Sequence, residues 1–176
     1  MTHADQSFDS PAQQRLRQRA RLLAGAPPAS STRAELGVVV CRVRQELYAL
    51  ELGSSLGVLA ARGVTSVPST PPHVAGVLNV RGDVVTVIDL AAALGLGASA
   101  SALADSARVV LVETHGTRVG LLVDQVTEIR HLSLDRLERP LSDRLFVRGI
   151  VDARIVLLDL ERLLAEQQLE VNEQLV

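Results

Sequence analysis

Lysine and tryptophan are missing from this sequence, and aromatic residues of any kind are rare: one Tyr and two Phe. All 18 basic residues are therefore arginines, each a planar guanidinium that can make forked contacts with a carboxylate. The shortage of aromatics removes the stacking platforms that single-stranded nucleic acids use, and a formal charge of −2 supplies no strong basic footprint. Nucleic acid is not an expected partner. Cys41 is the only cysteine, so neither an intramolecular disulfide nor a cysteine-based metal site can form. No apolar run approaches the roughly 18 residues of a membrane span, and the N-terminal stretch lacks the apolar segment of a signal peptide. A cytoplasmic protein without direct membrane insertion is expected, reaching a membrane only through partners.

Groups that could carry chemistry are scattered. His3, His73, His115 and His131 stand alone, without a second ligand at helix or strand spacing. Asp89, Asp124 and Asp159 recur every 35 residues, each after an apolar strand, which raises the possibility of a carboxylate trio in a small β-barrel hydrolase. Capping is the stronger reading for Asp89 and Asp159, because each precedes a helical stretch whose first N–H groups need an acceptor. Asp124 ends or bends a strand. Gly95-Leu96-Gly97 lacks the lysine and spacing of a phosphate loop, and the serines at 99, 101 and 106 have no partner base. No catalytic group, cofactor or metal is expected.

What the chain has in quantity is short Val- and Leu-rich runs punctuated by turn residues. Residues 1–36 differ: they are polar, and between 15 and 44 seven arginines face a single acid, Glu35. Ser10-Pro11-Ala12-Gln13 reads as a capping box, which predicts a helix from about 11 to 24. We divide the chain into an Arg-rich extension and linker (1–36), a folded module (37–165) and the end of a C-terminal helix with its tail (166–176). Within the module strands are predicted near 37–43, 46–52, 55–60, 74–79, 83–88, 107–113, 118–131, 146–151 and 154–159, the spacing of small barrels or sandwiches. Asp89, Ser133 and Asp159 are the expected caps of three helical pieces. The fold class is mostly β.

A weak repeat runs through it. Gly76-Val77-Leu78-Asn79 followed by Val84 to Leu90 resembles Gly149-Ile150-Val151-Asp152 followed by Arg154 to Leu160, with the second turn three residues shorter. Two related β-lobes would explain a strand, turn, strand and capped helix occurring twice.

The segment Gly76-Val77-Leu78-Asn79-Val80-Arg81-Gly82-Asp83-Val84-Val85-Thr86-Val87-Ile88-Asp89-Leu90 carries a second message. Gly82 beside Asp83 suits a hairpin turn, and Arg81 must either find a carboxylate within the fold or present its fork to a partner. Together with Gly120-Leu121-Leu122-Val123-Asp124-Gln125-Val126 and Gly149-Ile150-Val151, this segment closely resembles the CheW-like domain of bacterial chemosensory proteins over residues 36–165. The resemblance implies two SH3-like five-stranded β-barrels packed through a shared core, with short helices and a C-terminal helix. It also implies an adaptor joining chemoreceptor cytoplasmic tips to a CheA-type histidine kinase. Without kinase, phosphotransfer or receiver domains, the chain looks like the free adaptor. Receptor contacts in a groove between the lobes would then fall on Val77, Asn79, Arg81, Gly82 and Gly120, and the kinase side on Ser55, Leu56 and Val58.

The sequence departs from that family where members show V-x-E-[IV] and this chain has Ser55-Leu56-Gly57-Val58. The missing acid is a candidate partner for Arg81, and its loss changes the edge expected to face the kinase. Thr86 replaces an expected proline and Cys41 an aromatic. A diverged accessory protein of a non-flagellar pathway, binding receptors but engaging the kinase poorly, is the alternative these changes suggest.

Overall fold

The fold is described from a computed structural model, which covers residues 35–98, 104–114, 116–139 and 144–173, with side chains up to Gln167. The expected helix at 11–24, the Arg-rich extension, His3, His115, Ser99 and Ser101 lie outside the described residues. Ten strands form two five-stranded sheets. In chain order they are β1 (Glu35–Val43), β2 (Glu46–Glu51), β3 (Ser55–Ala60), β4 (Val74–Val80) and β5 (Asp83–Asp89). After helix α1 (Leu90–Ala93) come β6 (Arg108–Thr114), β7 (Thr117–Val123), β8 (Gln125–Ser133), β9 (Val147–Val151), β10 (Ile155–Leu158) and helix α2 (Leu160–Glu173).

Lobe 1 has the strand order β8-β1-β2-β10-β9 and lobe 2 the order β3-β6-β7-β5-β4. The two orders are the same pattern. Each lobe has one parallel pair, β2 with β10 and β5 with β7, and every other pairing is antiparallel. Lobe 2 is inserted in lobe 1, and the chain crosses over at the 3-10 turn Leu52–Ser54 and returns at Asp124.

That return crossing divides the single strand expected over 118–131 into β7 and β8. Periodicity could not mark the break, because apolar residues continue across it. Asp124 makes it: its N–H donates to Arg42 O, and its carboxylate accepts from the N–H of Arg44 at 2.5 Å. Two hydrogen bonds to the β1–β2 turn thus pin the switch of sheets. The other eight predicted strands are found with ends shifted by a residue or two.

Three apolar clusters follow from the strand faces. Val38, Val40, Ala49, Leu132, Val151, Ile155 and Leu157 fill lobe 1. Leu78, Val85, Val87, Val109, Leu111 and Leu122 fill lobe 2. The largest cluster joins them: Cys41, Val43, Tyr48 and Leu50 from lobe 1 meet Ile88, Leu90, Val110, Val112, Leu121 and Val123 from lobe 2, closed by Phe146 and the α2 residues Leu160, Leu163 and Leu164. Along part of β1, β6 and β7 both faces are buried, which is why those runs read as continuous, whereas β3 alternates. The two described aromatics, Tyr48 and Phe146, both lie in the shared core.

Helix α1 is capped by Asp89, whose carboxylate accepts from the N–H groups of Ala91 and Ala92, and Gly95 ends it at φ +73°. Asp159 accepts from the N–H of Arg162 in the first turn of α2. Ser133 precedes the 3-10 turn Leu134–Arg136 but makes no side-chain cap, a correction to the expected role. The turn is three residues long, so few N–H groups are left without partners.

The repeat is more extensive than the sequence suggested. Gly76 opposes Val87, two residues before the cap Asp89, and Gly149 opposes Leu157, two residues before Asp159. Next to each glycine a second chain segment crosses, Thr65 pairing with Val77 and Glu138 with Ile150 through reciprocal backbone hydrogen bonds of 2.9–3.0 Å. The turns differ from expectation. The first is Arg81–Gly82 and the second, Asp152–Arg154, is one residue longer; it is the arms β9 and β10 that are shorter than β4 and β5.

Candidate functional site

The β4–β5 hairpin closes with Val80 opposite Asp83, so Arg81 and Gly82 are its two turn residues, with φ +55° and +99°. Both values belong to the left-handed turn that matches the twist of paired strands. The expected turn, Gly82 with Asp83, is displaced by one residue. Asn79 supports it, its side-chain oxygen accepting from the N–H of Gly82 at 2.9 Å. Glycine is at ease at φ +99°, but a left-handed Arg costs about 1–2 kcal/mol, which Asn or Gly would largely avoid. Arg81 is exposed, and among the described residues its guanidinium makes no hydrogen bond or ion pair.

Beside this turn lies a cavity of about 410 Å³. Its apolar wall is Leu59, Val80, Val85 and Leu111, and its rim is Leu56, Gly57 and Val58 of β3. The charged groups at its mouth are Arg81, Asp83 and Arg118. Arg118 is provided with acids on both sides, Glu113 at 3.3 Å and Asp83 at 3.4 Å. The cavity therefore holds two guanidinium groups and one carboxylate, and that carboxylate is engaged by Arg118.

β3 is an edge strand, bonded only to β6, and it carries a bulge: Ser55 opposes Val112 and Gly57 opposes Leu111, leaving Leu56 as the extra residue. Leu56 and Val58 point to solvent, 52% and 39% exposed. Gly57 falls on the same side as Leu59, facing open space where a side chain would stand.

The predicted site residues are thus partly brought together. Arg81, Leu56 and Val58 line one cavity, although the first was expected toward the receptor and the others toward the kinase. Ser55 sits at the start of the same strand, and Gly82 is open to solvent at the turn. Val77 and Asn79 occupy the outward face of β4, opposite Leu78 and Val80, with the exposed Thr86 and Val84 across from them. Gly120 is buried inside lobe 2 between β5 and β6, where a Cβ would lie 2.6 Å from Val109 Cγ1. Its smallness serves packing. The cavity is lined entirely by lobe 2, not by residues from both lobes. Sequence reasoning missed Arg118 and Asp83 as part of this site; the only available signal was the charge of two residues that paired strands bring alongside the turn.

The repeating aspartates do not form a reaction centre. Asp89 and Asp159 cap helices, Asp124 holds the crossover, and among the described residues no group of three His, Cys, Asp or Glu is placed to hold a metal. Among those residues no helix is long and apolar enough to cross a membrane.

The CheW-like domain family model matches residues 37–168. The chain is 33% identical over 146 residues to a probable chemotaxis protein CheW of Rhizobium etli, covering 72% of this chain and 91% of that one. Protein PilI of Pseudomonas aeruginosa is 30% identical over 135 residues, covering 74% and 75%. The crystal structure of the scaffolding protein TtCheW from Thermoanaerobacter tengcongensis superposes with a TM-score of 0.66 at 31% identity, covering 74% of this chain and 88% of that one. With two five-stranded lobes around a shared core and a family match over most of its length, this chain belongs to the CheW-like domain family.

Proposed function

We propose that this chain is a non-enzymatic signalling adaptor that couples the cytoplasmic tips of chemoreceptors to a CheA-type histidine kinase in the cytoplasm. The observation that carries the reading is Arg81: in a member of this family, a guanidinium held in a left-handed turn beside an apolar cavity has no partner among the described residues. A forked, desolvating contact with another protein would use both features. Contacts of this kind bury on the order of 1,000 Å² or less, so micromolar affinity is expected for each partner.

The experiment is co-precipitation of the chain, wild type and Arg81→Ala, with the purified receptor cytoplasmic fragment and histidine kinase of the same organism. Capture of both partners by the wild type, with receptor lost in the variant, is the expected result. Capture of neither removes the adaptor reading.

A second reading has its own support in β3. With Ser55-Leu56-Gly57-Val58 at its kinase-side edge and a PilI protein among its relatives, the chain would serve a non-flagellar pathway and bind the kinase poorly. Capture of the receptor alone favours it.

A further inference from the structure

The two lobes share one strand order and one pairing pattern, so their strands correspond one to one, and the correspondence brings out what lobe 2 lacks. By strand order β8 of lobe 1 is the counterpart of β3, and β1 of β6. Both edge strands carry one extra residue at the same point. Val40 opposes Glu128 and Cys41 opposes Val126, leaving Thr127 as the bulge, just as Leu56 is the bulge between Ser55 and Gly57. Val126-Thr127-Glu128-Ile129 of lobe 1 therefore corresponds to Ser55-Leu56-Gly57-Val58 of lobe 2. The β9–β10 turn holding Asp152 is the counterpart of the β4–β5 turn holding Arg81, which stands two residues further out because the arms of lobe 2 are longer.

In lobe 1 the edge strand is tied to the hairpin turn by charge. Arg130 of β8 meets Asp152 at 2.9 Å and Glu128 at 3.5 Å, and Arg136 reaches Asp152 at 3.6 Å. In lobe 2 the position of Glu128 is Gly57 and that of Arg130 is Leu59. Neither offers a charge to Arg81, and the space between strand and turn is the cavity of about 410 Å³. The only carboxylate lining it among the described residues, Asp83, is held by Arg118.

From this we infer that lobe 2 receives an acidic side chain from its partner: an Asp or Glu flanked by an aliphatic residue, the carboxylate on Arg81 and the aliphatic group against Leu59, Val80 and Leu111. The partner completes in trans the strand-to-turn ion pair that lobe 1 makes within itself. Charge complementarity selects the acid, since Arg118 has two carboxylates within 3.4 Å while Arg81 has none among the described residues, and the apolar wall selects its neighbour. The inference rests on the adaptor reading, and it assigns to one cavity the residues expected to meet two different partners. Receptor and kinase would not occupy it together.

The test is calorimetric titration of the full chain with the purified receptor cytoplasmic fragment and, separately, with the histidine kinase. Arg81→Gln keeps the length and polarity of the side chain and removes its charge; it is expected to weaken one partner on the order of ten- to hundred-fold without lowering the melting temperature. Arg81→Lys, which keeps the charge but not the fork, is expected to fall between. Arg81→Glu is expected to bind no better than Arg81→Gln and to be rescued when a single acid of that partner is changed to Arg. Asp152→Asn, whose carboxylate is engaged inside lobe 1, is expected to leave affinity unchanged. If wild type binds and Arg81→Gln binds equally well, the inference is overturned while the adaptor reading stands. If the wild type binds neither protein, both fall.

Discussion

Lobe 1 and lobe 2 repeat one plan of five strands, a bulged edge, a crossing segment and a capped helix, but only lobe 1 makes its contacts internally complete. Its hairpin turn carries Asp152, fixed by Arg130 and Arg136, while the matching turn of lobe 2 carries Arg81, which has no such partner among the described residues. Both edge strands expose apolar side chains, Ile129 on β8 and Leu56 and Val58 on β3, but β8 flanks Ile129 with the ion-paired Glu128 and Arg130 while β3 carries no charged residue. The lesson is that the shared backbone sets what each position can reach, and the side chains decide whether a contact is made inside the fold or left for another molecule. Exposed apolar groups on an unpaired edge are ordinarily avoided. What separates lobe 2 from a purely structural copy is that its exposed apolar edge lies beside a guanidinium with no partner among the described residues.

The glycines that make the crossings possible test the shared plan most severely. At Gly76 a Cβ would overlap the carbonyl of Thr65, and φ +147° adds strain for any L side chain. At Gly149 a Cβ would stand 2.6 Å from the flexible Leu137 side chain and 2.7 Å from Glu138 O, with no left-handed φ to add. Gly76→Ala is therefore expected to cost about 3 kcal/mol or more and Gly149→Ala about 1–2 kcal/mol. Urea denaturation of the two variants checks the order; equal costs would mean that the crossings are not carried by these glycines in the way the repeat implies.

A second contrast lies in the cores. The cluster inside lobe 2 contains no titratable side chain, whereas the shared core contains Cys41 and Tyr48. Burial pushes the Cys41 thiol up from its ordinary 9.0 to about 12, opposed by a smaller effect of a backbone hydrogen bond. Burial, with Glu46 as hydrogen-bond acceptor and negative neighbour, raises the Tyr48 hydroxyl as well. An acid whose folded value is raised keeps its proton in the folded state after the unfolded chain has lost it, so stability is full below pH 9 and falls as pH rises toward 12. The loss should be about 1.4 kcal/mol by pH 10, because one unit above the unfolded value corresponds to that energy. Since the chain has no lysine, no ammonium side chain titrates over this window. Urea melts at pH 8, 9 and 10 should show the decline in wild type and a nearly flat profile in Cys41→Ala, offset downward by its own packing loss. A decline unchanged in Cys41→Ala would place its origin outside the shared core.

Much of this architecture was legible in the sequence, and for definite reasons. Turn residues bracketed the strands, Asp89 and Asp159 stood before helical stretches, and Gly76 and Gly149 marked the two halves of the repeat. The division of 118–131 was legible only at Asp124, which read as the end or bend of a strand; apolar periodicity runs through it, and the change of sheet depends on hydrogen bonds to Arg42 and Arg44, about 80 residues away in the chain. The site was legible in part. Arg81 was singled out because a guanidinium at a hairpin needs a carboxylate or a partner. Its convergence with Leu56 and Val58 depends on the position of β3 in the sheet, which no local pattern encodes. Gly120 looked like a groove residue and is a packing residue, a distinction visible only when Val109 is seen against it.

The smallest expected effects bear most directly on the contrast between the two turns. Asp152→Asn, which keeps a residue at ease in the left-handed backbone of that position (φ +53°), breaks a partly exposed ion-pair cluster and should cost about 0.5 kcal/mol, a loss that fades in 1 M salt as screening replaces the pairs. Arg81→Asn removes a side chain that stabilises nothing within the described fold and substitutes a residue that adopts left-handed φ more readily. It should raise stability by about 0.5 kcal/mol and abolish the salt-sensitive part of partner binding. Opposite signs in the two hairpins, read by urea melts at low and high salt, are what a contact kept inside lobe 1 and withheld in lobe 2 requires. A loss of stability in Arg81→Asn equal to that in Asp152→Asn would mean that Arg81 has a structural partner, and the asymmetry between the lobes would then concern packing alone.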